Sequence, residues 1–157
     1  MSESVGFIPP RLQEIIEDFA WSEGREKLDL LLEFSEKMRP LPEWLHDQRD
    51  EMDQVHECMT PVFVYAEKHD GRMTYHFDVP PESPTVRGYA AILAEGVAGA
   101  TPEDVIRIPN DFYLQMGLQQ VLSHQRMNGI TAILAYMKRL AVKELANTPG
   151  MERETNQ

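Results

Sequence analysis

The 157-residue chain contains a single cysteine, Cys58. One cysteine excludes a disulfide within the chain, and it excludes a metal cluster held by several cysteines of the same chain. It also suits a reducing compartment. The segment Met1 to Ile8 lacks the basic stretch followed by an apolar stretch that marks a secretory signal. These absences predict a cytoplasmic protein.

Basic residues are scarce as well, since 15 Lys and Arg stand against 26 Asp and Glu, for a net charge of −11. Phosphate recognition needs clustered Lys and Arg, so this balance argues against nucleic acid and against an anionic membrane surface as partners. Solubility and electrostatic steering toward a basic partner explain the excess of carboxylates equally well. No apolar run approaches the roughly 20 residues that a bilayer span requires.

The composition, 42% hydrophobic and 26% charged, is that of a globular protein. The length fits one domain, which we predict at residues 1–146. Residues 147–157 are polar and contain Pro149-Gly150, so we predict a disordered C-terminal tail.

Helical periodicity dominates both ends of the chain. A first helix is predicted after Pro9-Pro10, and a second from about Arg25 to Met38, which Pro40 ends because proline lacks a backbone N–H. We expect these two to form an antiparallel pair. Further helices are predicted after three capping positions, and the last of them is the longest. These positions are Ser83-Pro84, Thr101-Pro102 and Ser123.

The middle of the chain carries strand signals. Residues 62–66 are rich in β-branched and aromatic side chains, and residues 73–79 alternate between apolar and polar. Asp70-Gly71 between them is typical of a tight hairpin turn. For Glu43 to Gln54, a solvated connector and a short edge strand both remain open. The order predicts an α+β fold, with a small antiparallel sheet packed against helices.

Cys58 lies where a polar segment gives way to the first strand. A thiolate is the reactive form of cysteine, so a working thiol needs exposure and help with deprotonation. In an extended segment His56 would share a side with Cys58 and could assist, whereas the carboxylate of Glu57 would disfavour the thiolate. A buried, inert cysteine and a reactive one both remain open on these residues alone.

Two other kinds of site can be built around Cys58. His56, Glu57 and Cys58 could bind a metal with His46 or His76, but the paired Cys-x-x-Cys spacing typical of zinc is absent. A cysteine hydrolase could use His76 or His124 as its base, yet no signature places them together.

Several stretches resemble the SufE family of sulfur-acceptor proteins. The resemblance runs from about Leu12 to Lys143 and rests on the order and spacing of its parts. These are Ala20-Trp21-Ser22 ahead of Leu28 to Phe34, Pro40-Leu41-Pro42, Val55-His56-Glu57-Cys58-Met59-Thr60-Pro61-Val62-Phe63, Thr85-Val86-Arg87-Gly88, Thr101-Pro102-Glu103-Asp104, Met116 to Leu122 and Ser123-His124-Gln125-Arg126-Met127-Asn128-Gly129.

The resemblance implies a fold similar to the scaffold protein IscU and a sulfur-accepting cysteine on a loop. It implies that Cys58 takes persulfide sulfur from a pyridoxal-phosphate cysteine desulfurase of the SufS type, stimulates that enzyme, and passes sulfur to a downstream scaffold for iron–sulfur cluster assembly. Such a protein is an accessory rather than an enzyme, and carries no cofactor or metal of its own.

The same resemblance suggests supporting or partner-contacting roles for His56, Glu57, Thr60 and Arg126. Arg126 matches the arginine of the family's Ser-x-x-Arg-x-x-Gly stretch. Two positions depart from the better-known pattern, which has glycine before the cysteine and serine two after it, where this chain has Glu57 and Thr60. The alternatives to a sulfur acceptor are an IscU-like scaffold and a stand-alone cysteine-nucleophile enzyme.

Overall fold

The computed structural model describes residues 6–147, and within them it contains seven α-helices and three β-strands. Two short 3-10 helices, Arg49–Glu51 and Leu118–Gln120, complete the regular structure. The helices are α1 (Pro10–Trp21), α2 (Arg25–Lys37), α3 (Glu43–His46), α4 (Pro84–Val97), α5 (Pro102–Ile106), α6 (Tyr113–Met116) and α7 (His124–Ala146). The strands are β1 (Asp53–Gln54), β2 (Phe63–His69) and β3 (Arg72–Asp78).

The three strands form one antiparallel sheet in the order β1-β2-β3. The predicted hairpin between β2 and β3 is confirmed, with φ of 54° at Asp70 and 78° at Gly71. Both angles are positive, as a two-residue hairpin turn requires. The undecided segment from Glu43 to Gln54 contains a helical turn, a 3-10 turn and the two-residue edge strand β1. The α+β fold predicted from the sequence is confirmed.

α4 is the central helix, and both α1 and α2 pack on it more extensively than on each other. Two glycines on α4 allow this close approach. A Cβ at Gly88 would lie 2.2 Å from the carbonyl oxygen of Leu31 in α2, and one at Gly96 would lie 2.9 Å from the Cβ of Leu12 in α1. The expected pair of α1 and α2 is therefore held together mainly by the contacts that each helix makes with α4.

A buried lysine joins the two N-terminal helices. Lys27 is 3% exposed, and its ammonium donates to the carbonyl oxygens of Phe19 and Ser22 at the end of α1. A cation is favourable at a helix C-terminus, where carbonyl groups lack intrahelical partners. Leu32, which the apolar pattern of α2 assigns to the buried side, is 43% exposed instead.

The sheet buries one face against α4 and α7. Val64, Met73, Tyr75 and Phe77 lie on that face, and the Tyr75 hydroxyl donates to the carbonyl oxygen of Met137 at 2.9 Å. The alternating burial along β3 is the one its sequence predicts.

The predicted helix caps are confirmed at two of three positions. Thr101 and Ser123 accept hydrogen bonds from the backbone N–H of Asp104 and Arg126. Ser83 makes no side-chain cap bond, because its hydroxyl is paired with Thr60 instead.

No helix in the described part of the chain is both long and apolar enough to span a membrane. Of the segment predicted to be a disordered tail, Asn147 follows the last residue of α7, and residues 148–157 lie outside the described residues.

Candidate functional site

Cys58 lies in the loop that joins β1 to β2. The loop is closed at its base by a hydrogen bond from the Val55 N–H to the Val62 carbonyl oxygen at 2.8 Å. Within it, the Cys58 N–H donates to the Val55 carbonyl oxygen at 3.3 Å, which makes residues 55–58 a turn. His56 is at the middle of this turn and is exposed, whereas Cys58 is buried.

The prediction that His56 and Cys58 point to one side of an extended segment is therefore wrong. Alternation holds only in extended backbone, and the turn sends the two side chains in different directions. His56 is not among the residues that line the cavity beside the thiol.

The Cys58 thiol is held inward, with 8% of the residue exposed. Its Sγ donates to the carbonyl oxygen of Gly129 in the first turns of α7, at 3.1 Å. A Cβ at Gly129 would lie 3.6 Å from Sγ, so the helix passes in contact with the thiol. At rest the sulfur is protected from bulk solvent.

Burial and, to a smaller extent, the carboxylate of Glu57 together raise the pKa of the Cys58 thiol from its ordinary value of 9.0 to about 11. Desolvation penalises the thiolate, and a nearby negative charge repels it. With a pKa of about 11, only about 0.1% of the thiol is ionised at pH 8. The resting loop therefore holds a thiol of low reactivity.

A cavity of about 440 Å³ adjoins the thiol. Its walls come from the Cys58 loop, the start of α4 and the start of α7. Its lining residues are Cys58, Met59, Thr60, Glu82, Ser83, Pro84, Thr85, Val86, Gln125, Arg126 and Gly129. The structure thus brings Thr60 and Arg126, both predicted at the site, to the same cavity as Cys58.

Side-chain contacts fasten the loop on both sides of Cys58. The Thr60 and Ser83 hydroxyl oxygens lie 3.2 Å apart in a half-buried hydrogen bond to the start of α4. The Gln125 amide of α7 contacts the Met59 sulfur. These contacts hold the loop against α4 and α7.

Glu57 and Met59 flank the thiol on the outer surface. The Glu57 carboxylate is 3.8 Å from the guanidinium of Arg139, and both side chains are more than half exposed. Met59 is 80% exposed, although it is apolar. An exposed ion pair contributes little to stability, so the outer side of the loop is held weakly.

Sequence reasoning missed Ser83 and Gln125, which contact the Cys58 loop, and Gly129, which contacts the thiol. Ser83 has the sequence pattern of a helix cap, and the loop contact replaces that role. Gly129 was visible only as the last position of the Ser-x-x-Arg-x-x-Gly stretch. Nothing in the sequence indicates that its carbonyl group accepts from a cysteine 71 residues away.

The histidines of the alternative sites lie elsewhere. His76 is on the outer face of β3, with its ring 5.9 Å from that of Trp44, and His124 begins α7 outside the lining of the cavity. Within residues 6–147, no three His, Cys, Asp or Glu side chains form a group that could hold a metal ion.

The fold and this site define a small α+β protein that keeps one protected thiol on a loop beside an open cavity. Comparison with known proteins identifies the family. The family model described as "Fe-S metabolism associated domain", SufE, matches residues 13–141. The chain belongs to the SufE family.

Individual relatives agree with this family. The chain is 40% identical over 133 residues to an uncharacterized SufE-like protein of Mycobacterium tuberculosis, which covers 84% of this chain and 92% of that protein. It is 22% identical over 144 residues to the cysteine desulfuration protein SufE of Plasmodium vivax, covering 89% of this chain and 56% of that one.

A solved structure shares the fold. The solution structure of a hypothetical protein from Thermus thermophilus superposes with a TM-score of 0.79 at 34% identity, covering 89% of this chain and 99% of the other. Family membership gives this chain an accessory sulfur-transfer role in Fe–S metabolism, in a family associated with cysteine desulfurase partners.

Proposed function

We propose that Cys58 accepts sulfane sulfur from the persulfide of a SufS-type, pyridoxal-phosphate-dependent cysteine desulfurase, and that the chain thereby stimulates that enzyme. The observation that carries this proposal is the placement of the one thiol, on a closed loop beside a 440 Å³ cavity that Arg126 also lines. A sulfur delivered to such a thiol would have a place to reside next to a cation.

The proposed step is an exchange of sulfur between two cysteines. The Cys58 thiolate, having lost its proton to solvent, attacks the outer sulfur of the desulfurase persulfide. A new S–S bond forms on Cys58 while the partner's S–S bond breaks, and the partner cysteine leaves as a thiolate that takes up a proton. No net oxidation occurs, because one persulfide is exchanged for another.

The closed loop must open for this reaction. Sγ faces Gly129 inside the protein, so an external persulfide reaches it only after the Sγ–Gly129 and Thr60–Ser83 hydrogen bonds break. Opening also exposes the thiol to water, which lowers its pKa toward the ordinary value because desolvation is the main cause of the shift. The desulfurase would then supply the binding energy for both changes.

The other residues expected at the site have distinct proposed roles. The Arg126 guanidinium, which has no carboxylate within ion-pair distance among residues 6–147, is free to stabilise the thiolate or the persulfide anion. Glu57, Met59 and His56 lie on the exposed side of the loop, where a partner would first make contact.

We further place this transfer in the cytoplasm, where a lone thiol stays reduced. The sulfur would pass from Cys58 to a scaffold on which clusters are assembled. The single cysteine favours a carrier over a cluster scaffold, because cluster sites need several thiolate-type ligands.

The test combines mass spectrometry with enzyme assays. Incubation with a SufS-type desulfurase and free cysteine should add the mass of one sulfur to the protein, and a reductant should remove it. The Cys58→Ser variant should gain no sulfur and should not stimulate the desulfurase. Sulfur on the Ser variant, or none on the wild-type chain, contradicts the proposal.

A further inference from the structure

A second cavity, of about 500 Å³, lies at the other end of α4 and shares no residue with the Cys58 cavity. Four consecutive residues of β3, residues 74–77, line it. Successive side chains of a strand point to opposite faces, so a cavity that touches four in a row must meet the edge of the strand. The cavity is therefore a groove along the free edge of the sheet.

Two residues of this edge have unpaired backbone groups, although their exposed fractions are small, 3% at Tyr75 and 4% at Phe77. Along β3, the backbone N–H and C=O groups of successive residues point alternately toward β2 and away from it. Met73 shows which residues point away. Its N–H donates to the Ala100 carbonyl oxygen at 2.7 Å and its carbonyl oxygen accepts from the Gly99 N–H at 2.9 Å. Tyr75 and Phe77 have the same orientation, and within residues 6–147 their N–H and C=O groups have no backbone partner across this edge.

The opposite wall of the groove cannot complete the sheet. It is formed by the end of α2 and the segment Met38 to Leu41. Pro40 has no N–H to donate, and no backbone hydrogen bond joins this segment to β3. The floor consists of small side chains on α4, among them Ala91 and Ala94, which leave room beside the strand.

The charge at the groove is opposite to that of the chain as a whole. Lys37 and Arg39 line it, and among the described residues neither has a carboxylate within 4.0 Å. The one acidic residue in the lining, Glu95, is already bound by the guanidinium of Arg11, at 2.8 Å from Nε. In a chain of net charge −11, this leaves a local excess of positive charge beside an unpaired strand edge.

We propose that the edge of β3 at Tyr75 and Phe77 is a docking site for an extended, acidic segment of a partner protein, which adds to the sheet as a fourth strand. The segment would enter the groove and form backbone hydrogen bonds to these two unpaired residues, as in other cases of strand addition. Its acidic side chains would meet Lys37 and Arg39, and its apolar side chains would lie on α4. A second copy of this chain fits less well, because both copies carry a charge of −11.

The proposal does not depend on sulfur transfer and is tested without a desulfurase. The probe is the peptide acetyl-Glu-Val-Glu-Val-Glu-Val-amide, added to the full-length, isotope-labelled chain and followed by NMR. We expect binding with a dissociation constant below about 1 mM. Exchange of the Tyr75 and Phe77 amide protons should slow at least about tenfold, because they become hydrogen-bonded. Thr74 and His76, which already face β2, provide internal controls and should not change.

Matched variants test whether binding depends on the positive charges at the groove or only on the net charge of the chain. Lys37→Glu combined with Arg39→Glu should weaken binding at least about tenfold. The control combines Arg25→Glu and Lys143→Glu, which make the same change in net charge away from the groove and should bind as the wild type does. The same peptide with N-methylated amides should not bind.

Three results would overturn the inference. One is the absence of any change at Tyr75 and Phe77 up to several times the expected dissociation constant. Another is exchange of these two amides, before peptide is added, that is as slow as exchange at the hydrogen-bonded Thr74 and His76, since the edge would then be occupied by the chain itself or by a second copy. The third is equal binding by the two double variants.

Discussion

Replacing Ser83 by alanine is expected to loosen the Cys58 loop and to speed alkylation of its thiol. The Ser83 hydroxyl is hydrogen-bonded to Thr60, two residues after the cysteine, at 3.2 Å. It makes no cap bond to the amides of α4, so its removal should leave that helix in place. The variant therefore removes a contact that closes the loop and little else.

The magnitude follows from the strength of one half-buried hydrogen bond. If the thiol ionises only from the open loop, the alkylation rate follows the fraction of open loops, which is small because the resting thiol is buried. Losing a hydrogen bond costs about 0.5–1.5 kcal/mol. The open fraction, and with it the alkylation rate, should then rise about 2- to 10-fold.

The assay is the rate of iodoacetamide alkylation at pH 8, followed by intact mass. Thr131→Ala is the matched control, because the Thr131 hydroxyl donates to the Met127 carbonyl oxygen within α7 and Thr131 does not line the Cys58 cavity. Its alkylation rate should equal that of the wild type. An unchanged rate in Ser83→Ala, or an equal increase in the control, would refute the idea that this hydroxyl pair holds the loop.

Two further predictions test the burial of the thiol and the packing of α4. The alkylation rate should rise about tenfold per pH unit up to a midpoint near pH 11, because the thiolate is the nucleophile and the pKa of the thiol is raised. Glu57→Gln should lower that midpoint, because it removes a nearby negative charge. A wild-type midpoint near pH 9 would mean that the thiol is solvated at rest. Gly88→Ala should lower the free energy of unfolding by about 3 kcal/mol or more, measured in urea, because its Cβ would lie 2.2 Å from the Leu31 carbonyl oxygen. A variant as stable as the wild type would show that α2 and α4 are not in such close contact.

Local signals in the sequence were sufficient for most elements of the fold. The β2–β3 hairpin follows from apolar alternation around Asp70-Gly71, and α7 begins directly after its capping residue Ser123, as predicted. Each of these depends on residues that are neighbours along the chain. The resemblance to the SufE family, carried by motifs in order along the chain, was also visible without a structure and is confirmed by the family model over residues 13–141.

Long-range packing determined the features that the sequence did not reveal. The pattern of α2 gave no reason to bury Lys27 and expose Leu32, because the carbonyl groups that receive the lysine belong to α1. Ser83 has the local pattern of a cap, yet its hydroxyl meets Thr60, which comes from a different part of the chain.

The sequence by itself determined that this chain has one thiol, an acidic surface and an α+β order of elements. Only the tertiary structure decided the state of that thiol. A turn at residues 55–58 points Cys58 inward and His56 outward, and the start of α7 supplies the Gly129 carbonyl oxygen that accepts from Sγ. Burial and hydrogen bonding depend on groups far apart in sequence, so a low-reactivity thiol on a closed loop could not be derived from its neighbours.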